Sequence, residues 1–385
     1  MDKKQRMLYD DLYARIKGDY SEAVESQLAV WEDRAPSRQP LLLHCELPAE
    51  QAAGFPEYNS GETHFDKPKM LLSGMKQMLE TAASGMQAVP SARANMGCGI
   101  YPSLFPGIMP ALFYDGRMPW VVEHLAKDDI RALREKDIKI TDEFKTALEH
   151  MEYQAEKIAG TGVYIYPPDL QSPFDMAHIV YGDAFFYDLY DDPKLMHHLL
   201  ELCVYAIMLG HDECVKVIPD SDNVIAHYNE MVMPRSLGGL KISEDTSTLV
   251  CPEHIDEYVI PYTKRVLRHA GGGYIHYCGK NDHLLCRMLE LELVRGINFG
   301  NPDKHDMNAV LRQITAAGKV YYGAIPKTEI EDYRSYFMRC IKNATANGKC
   351  RLLLSLRVKP GEQDCAREAW NSAAALKSHA PIANK

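Results

Sequence analysis

The run Gly273-Tyr274-Ile275-His276-Tyr277-Cys278-Gly279 sets an imidazole and a thiol two residues apart in a stretch rich in strand-forming residues. In an extended chain, residues two apart point the same way. His276 and Cys278 therefore face one side while Ile275 and Tyr277 face the other. A ring nitrogen and a thiolate converging on one point suit zinc, which prefers N and S donors. Gly279 then permits a sharp turn or the close approach of a ligand to the backbone. A zinc site normally takes at least three protein ligands. Position along the chain offers His44, Glu46, Cys98, Asp245, and Ser355 with Arg357 as sources of the third. Cys350 is badly placed, because it begins the run Cys350-Arg351-Leu352-Leu353-Leu354-Ser355. At ~3.3 Å per residue it lies about 16 Å from the far end of that strand.

Other residues carry charge or proton chemistry. Asp245, in Lys241-Ile242-Ser243-Glu244-Asp245-Thr246-Ser247, is placed to act as a general base or to orient a ligand. The competing reading is that Asp245 and Thr246 cap the turn leading to the helix at Pro252. Arg93 and Asn95 precede Gly97-Cys98-Gly99, where a guanidinium and exposed N–H groups favour an anionic substrate group. Asp169 and Gln171 follow Pro167-Pro168 in an extended loop, which fits a substrate-binding role and a turn-forming one equally. Lys241 and Arg357 are further cations near strand ends that suit an acidic substrate. There is no Walker loop, no strand-linked Gly-x-Gly-x-x-Gly and no Gly-x-Ser-x-Gly elbow, so nucleotide and serine-hydrolase chemistry lack support.

The elements that must position these residues alternate. Short apolar or β-branched runs at 40–47, 88–96, 162–168, 240–245, 273–278, 296–300, 319–324 and 351–356 are separated by helical patterns. Parallel neighbours cannot be joined by a tight turn, so this alternation means right-handed crossovers and a parallel sheet. The pattern predicts an α/β chain folded as a (β/α)₈ TIM barrel, with a doubly wound open sheet as the alternative. In a barrel the C-terminal strand ends carry the active site, which is where His276 and Cys278 fall. Residues 1–38 read as a helical lead-in, with helix from about Gln5 to Asp33. Residues 220–239 read as a hairpin insertion, and 1–385 as a single domain. Asp192-Pro193 starts a long apolar-striped helix, and Gly271-Gly272-Gly273 ends the one before the fifth strand.

Composition sets the class. With 385 residues, 46% hydrophobic and 25% charged, the chain is long enough to bury a large core. The net charge of −10 and the lack of a basic block argue against nucleic acid or anionic membrane as partners. The N-terminal segment has no apolar core of a signal peptide, and no run reaches the ~18 apolar residues of a membrane span, so a cytoplasmic enzyme is expected. The 10 cysteines form no Cys-x-x-Cys pair and read as reduced thiols.

Several runs together resemble the uroporphyrinogen decarboxylase superfamily. They are Pro167-Pro168-Asp169-Leu170-Gln171-Ser172-Pro173-Phe174-Asp175-Met176-Ala177, Asp188-Leu189-Tyr190-Asp191-Asp192-Pro193, Pro261-Tyr262 after Cys251-Pro252-Glu253, and Ile275-His276-Tyr277-Cys278-Gly279. The likeness spans roughly residues 85 to 360. It implies a (β/α)₈ barrel and either of two chemistries. The decarboxylases remove carboxyls from a tetrapyrrole without metal, using an Arg-Gln-Ala-Gly-Arg motif near the first strand. Leu43-His44-Cys45-Glu46-Leu47-Pro48 has neither arginine. The methylcobalamin:coenzyme M methyltransferases bind zinc through His-x-Cys and a later Cys at the end of the eighth strand. His276 and Cys278 match the first part, whereas Ser355 stands about where the last Cys belongs. The resemblance thus implies a metal-assisted methyltransferase acting on a thiol with a corrinoid protein as partner, and a possible homodimer. The alternatives are a metal-free decarboxylase using Arg93, Lys241 or Arg357 for the acid and Asp245 for protons, and a non-catalytic barrel that binds a corrinoid or tetrapyrrole.

Overall fold

The structure is a computed structural model in which residues 1–377 are described. The strands that meet the eight expected runs are β1 (Leu41–Cys45), β2 (Ser91–Arg93), β3 (Tyr164–Tyr166), β4 (Leu240–Ser243), β5 (Gly273–Tyr277), β6 (Val294–Phe299), β7 (Val320–Gly323) and β8 (Leu352–Val358). Six of them form one parallel sheet in the order β1-β8-β7-β6-β5-β4. β2 and β3 pair in parallel with each other. Main-chain bonds join this pair to the sheet on both sides. Just before β2, Gln87 N donates to Leu41 O at 3.2 Å. Just after β3, Ser172 N donates to Ser243 O at 2.7 Å and Ser243 N to Leu170 O at 3.1 Å. The result is a mixed α/β, TIM-barrel-like arrangement. Among the described residues no helix is long and apolar enough to cross a membrane.

Side-chain alternation decides what each strand carries. Leu41 and Leu43 of β1, and Ile275 and Tyr277 of β5, join the layer packed beneath the helices. Leu42, Tyr274, Tyr322 and Leu353 instead form an inner cluster. His44, His276 and Ser355 fall on the inner period of their strands, two residues nearer the C-terminal ends.

Two expectations about local structure are corrected. The second strand was expected over 88–96 and forms only at Ser91–Arg93. Pro90 cannot donate to a ladder, and at Gly97 (φ +71) the backbone passes so close to Pro119 O that no side chain fits. The lead-in was expected as one helix over Gln5–Asp33 and is two, α1 (Lys3–Ile16) and α2 (Ser21–Trp31). The chain breaks at Gly18, whose N–H turns out to meet Thr161 O at 2.9 Å. α1 packs on α3 (Lys67–Ala82), whereas α2 plugs the inner cluster with Val30 and Trp31.

Between β3 and β4 the chain makes an antiparallel hairpin, Val224–His227 against Met231–Pro234. Its turn residues Tyr228 (φ 53) and Asn229 (φ 62) are both left-handed, as a tight turn that follows strand twist requires. The hairpin is not a surface flap. Met231 and Met233 lie in the inner cluster against Tyr274 and Tyr322. α2 holds it by its main chain: Gln27 Nε2 donates to Glu230 O (3.0 Å), Val232 N to Gln27 Oε1 (2.8 Å), and Trp31 Nε1 to Val232 O (2.9 Å). Its tip therefore reaches the level of the strand ends.

Candidate metal centre

β5 carries His276 on its inner face and ends at Tyr277. Gly279 (φ +88) then turns the chain against Thr248 and leaves Cys278 at the rim. The Cys278 Sγ lies 3.8 Å from His276 Nε2, and an oxygen of Asp245 lies 3.8 Å from that same nitrogen. One donor atom from each of Asp245, His276 and Cys278 can be chosen so that all lie within 4.8 Å of one another. Asp245 is thus the sequence candidate that the structure brings to the pair. It does not cap the following turn with its side chain. Instead its Oδ1 accepts from Cys278 N at 2.5 Å, which ties the β4 loop to the end of β5.

The orientation of His276 fixes which of its nitrogens is available. Asn298 of β6 donates through Nδ2 to Tyr322 O at 2.7 Å, so its Oδ1 faces His276 Nδ1, at 2.5 Å, as an acceptor. Nδ1 therefore carries the proton and Nε2 presents a lone pair toward Cys278 and Asp245. Gly300 completes the shape. A Cβ there would collide with Cys278 Sγ and come within 3.2 Å of the His276 ring.

Behind the site lie two further buried carboxyl groups, Asp175 and Glu244. Asp175 accepts from the main-chain N–H groups of Asp245 (2.6 Å) and Thr246 (2.8 Å). Glu244 accepts from Ser247 Oγ at 2.6 Å and from the Thr263 hydroxyl. Burial, with Glu244 and Asp245 close by, drives the Asp175 carboxyl well up. Burial pushes Glu244 up to about 7. Burial and the adjacent Asp245 push the Cys278 thiol up to about 11. Among the described residues no lysine or arginine forms an ion pair with Asp175, Glu244 or Asp245; Asp245 pairs only with His276. A carboxylate, a thiol and an imidazole lone pair facing one point, with acidic groups behind them, fit a divalent cation. Such a cation would reverse the thiol's upward shift.

His44, Ser355 and Cys98, other candidates for a third ligand, are committed elsewhere. Both ring nitrogens of His44 are engaged, Nδ1 with Thr81 Oγ1 at 3.0 Å and Nε2 with Glu230 Oε2 at 2.5 Å. Ser355 Oγ donates to Glu230 at 2.6 Å, and so does the Tyr322 hydroxyl. Cys98 Sγ donates to Asp169 Oδ2 at 3.4 Å, and burial beside that carboxylate pushes its thiol up to about 12. Glu46 follows the last residue of β1, and its main chain pairs with Val358. Glu230, at the hairpin tip, is buried. Desolvation opposes its charge, but His44, Ser355 and Tyr322 hold it below the usual carboxyl range.

The predicted substrate-binding residues divide. Lys241 is buried and paired with Asp169 at 2.5 Å, and Gln171 Nε2 lies 3.5 Å from the same carboxylate. Burial opposes both charges of that pair, yet each holds the other ionised. Arg357 donates to Glu80 at 2.6 Å. Arg93 lies over the Tyr166 ring, 5.5 Å from its centre, and donates to Asn95 Oδ1 at 2.7 Å. A cavity of 420 Å³ opens in front of His276, with Tyr228, Glu230, Asn298, Ser355 and Arg357 among its walls. Sequence reasoning missed Tyr228, Glu230, Asn298 and Gly300. The one available signal was a lone polar residue between glycines in Gly296-Ile297-Asn298-Phe299-Gly300.

Fold and site together describe a TIM-barrel-like protein with three candidate metal donors at its strand ends. A solved structure, a methyltransferase from Methanosarcina mazei, has the same fold. It superposes with a TM-score of 0.62 at 13% identity, covering 92% of this chain and 98% of that one. No family model and no curated protein matches the sequence.

Proposed function

We propose that this chain is a metal-assisted methyltransferase, a single barrel domain that methylates the sulfur of a small substrate with a corrinoid protein as methyl donor. The observation that carries the proposal is the convergence of Asp245, His276 and Cys278 donors within 4.8 Å, with the histidine tautomer set by Asn298. His276 Nε2, Cys278 Sγ and an Asp245 oxygen would hold zinc, with Asp245 in place of the cysteine that the resemblance puts near Ser355. Bound there, zinc supplies a positive charge that lowers the pKa of a substrate thiol. The protein's own groups do the positioning. Asn298 keeps Nε2 unprotonated. Asp175 fixes the loop that carries Asp245. The 420 Å³ cavity holds the substrate beside the donors, so that its sulfur is oriented for attack. The M. mazei methyltransferase supports this reading at the level of fold.

Metal analysis of the purified protein tests it. About one zinc per chain is expected in the wild type, with loss in His276→Ala and Cys278→Ala and weaker retention in Asp245→Asn. A wild type that takes up no zinc, or a Cys278→Ala variant that keeps it all, overturns the proposal. The metal-free decarboxylase reading predicts turnover that survives chelators. Of the three cations it relies on, Lys241 and Arg357 are already neutralised by Asp169 and Glu80, which leaves Arg93.

A further inference from the structure

We propose that the cavity between the end of β2 and α3 is a carboxylate-binding subsite, which anchors one end of the substrate while the other end meets His276 and Cys278. This deepens the methyltransferase reading and rests on it for the identity of the reacting end. It names the substrate as a small organic acid.

The cavity measures 230 Å³ and is walled by Arg93, Ser91, Asn95 and Gln77 among others. Three observations point to an anion. First, Arg93 forms no ion pair among the described residues. The hydrogen bond its guanidinium makes there goes to Asn95 Oδ1, so the remaining N–H groups of its fork have no acceptor. Lys241 and Arg357, by contrast, each hold a carboxylate. Second, Ser91 is 2% exposed, its buried hydroxyl has no hydrogen-bond partner, and the residue lines the same cavity. A buried hydroxyl left unsatisfied is costly, and an anion would accept its proton. Third, the nearby Asp169 spends its hydrogen bonds on Lys241 and Cys98, so although its charge favours the Arg93 cation it makes no hydrogen bond to the guanidinium. A planar fork beside a single hydroxyl donor matches a carboxylate, whose two oxygens can take the guanidinium side by side.

The cavity also adjoins the one at the reacting centre. Gln77, on α3, lines both this cavity and the 420 Å³ cavity that contains His276. Gln77 is thus a wall common to both, and a substrate anchored at Arg93 would have to pass it to reach the metal donors.

Calorimetric titration of the full chain with propionate, against inorganic phosphate as a tetrahedral comparison, tests the subsite. Propionate is expected to bind saturably to the wild type and about tenfold more weakly to Arg93→Gln, since a charge-assisted bidentate pair is lost. Arg93→Lys should fall between, and Ser91→Ala should weaken binding a few-fold. These two variants carry the test if Arg93→Gln does not fold. Cys278→Ser should bind propionate as the wild type does. Equal affinity in the wild type and the folded arginine variants overturns the subsite, as does a preference for phosphate or no saturable propionate binding. Zinc content measured on the same samples separates the outcomes. Normal zinc without propionate binding refutes the subsite alone, whereas propionate binding without zinc refutes the metal centre alone.

Discussion

His276 owes its usefulness to a neighbour on the adjacent strand. Asn298 is held by Tyr322 O, and only because its amide nitrogen is used there does its oxygen face the imidazole. Removing that oxygen in Asn298→Ala frees both tautomers. Zinc affinity should fall about 10- to 100-fold, read by competition with a chelator, while the melting transition persists. Gly300→Ala acts sterically, since the added methyl strikes Cys278 Sγ. It should displace the thiolate and abolish the sulfur-to-metal charge-transfer band of the cobalt-substituted protein, and an unchanged band would refute the role given to Gly300. The sequence exposed His276 and Cys278 through their spacing, because alternation along a strand is a local property. It could rank Asp245 no higher than its rivals, because three-way convergence depends on how the β4 loop meets the end of β5. Asn298 left only a faint trace, a lone polar residue between glycines, for the same reason: its partner lies on another strand, and register alone brings it to His276.

At the scale of elements, the hairpin is the distinctive part. His227 donates from Nε2 to Gly239 O at 2.9 Å and packs edge-on to Tyr274. Burial lowers its pKa from the usual 6.5 to about 3, and burial with Arg235 nearby lowers that of His211 to about 4. Both rings are neutral in the folded state and take up protons more readily when unfolded. Their contribution to stability is complete above 6.5 and is lost as pH falls toward 3 to 4. Denaturant midpoints should therefore drop between pH 7.5 and 4.5, and His227→Gln, which keeps a donor for Gly239, should show a shallower drop. That a hairpin precedes β4 could be read from the sequence, but its depth could not. Met231 and Met233 look like ordinary strand residues until Trp31 and Gln27 arrive from the lead-in. The lead-in itself shows the reverse error. Its apolar spacing runs on through Gly18, and the break there is made by a contact with Thr161.

For the whole molecule, strand alternation and helical crossovers were enough to place the strands, since both are periodic signals that survive without tertiary information. The sealing of the inner cluster from below was not legible, because it combines α2, the hairpin and four strands distant in sequence. Trp31→Ala should cost about 3–5 kcal/mol, the usual penalty for emptying a buried aromatic site, and Trp31→Phe much less. Chemical denaturation resolves the two, and a small loss for the alanine variant would show that the plug is dispensable.

Glu230 gives that seal a temporal meaning. Its carboxylate is matched by His44 near the start of the chain, Tyr322, and Ser355 in the final strand. A nascent chain that has not yet produced Ser355 holds a charged group bound for the interior with its set of donors incomplete. Folding of the barrel should therefore await the synthesis of β8, and chains truncated before β8 should be digested by protease rather than leave a resistant fragment.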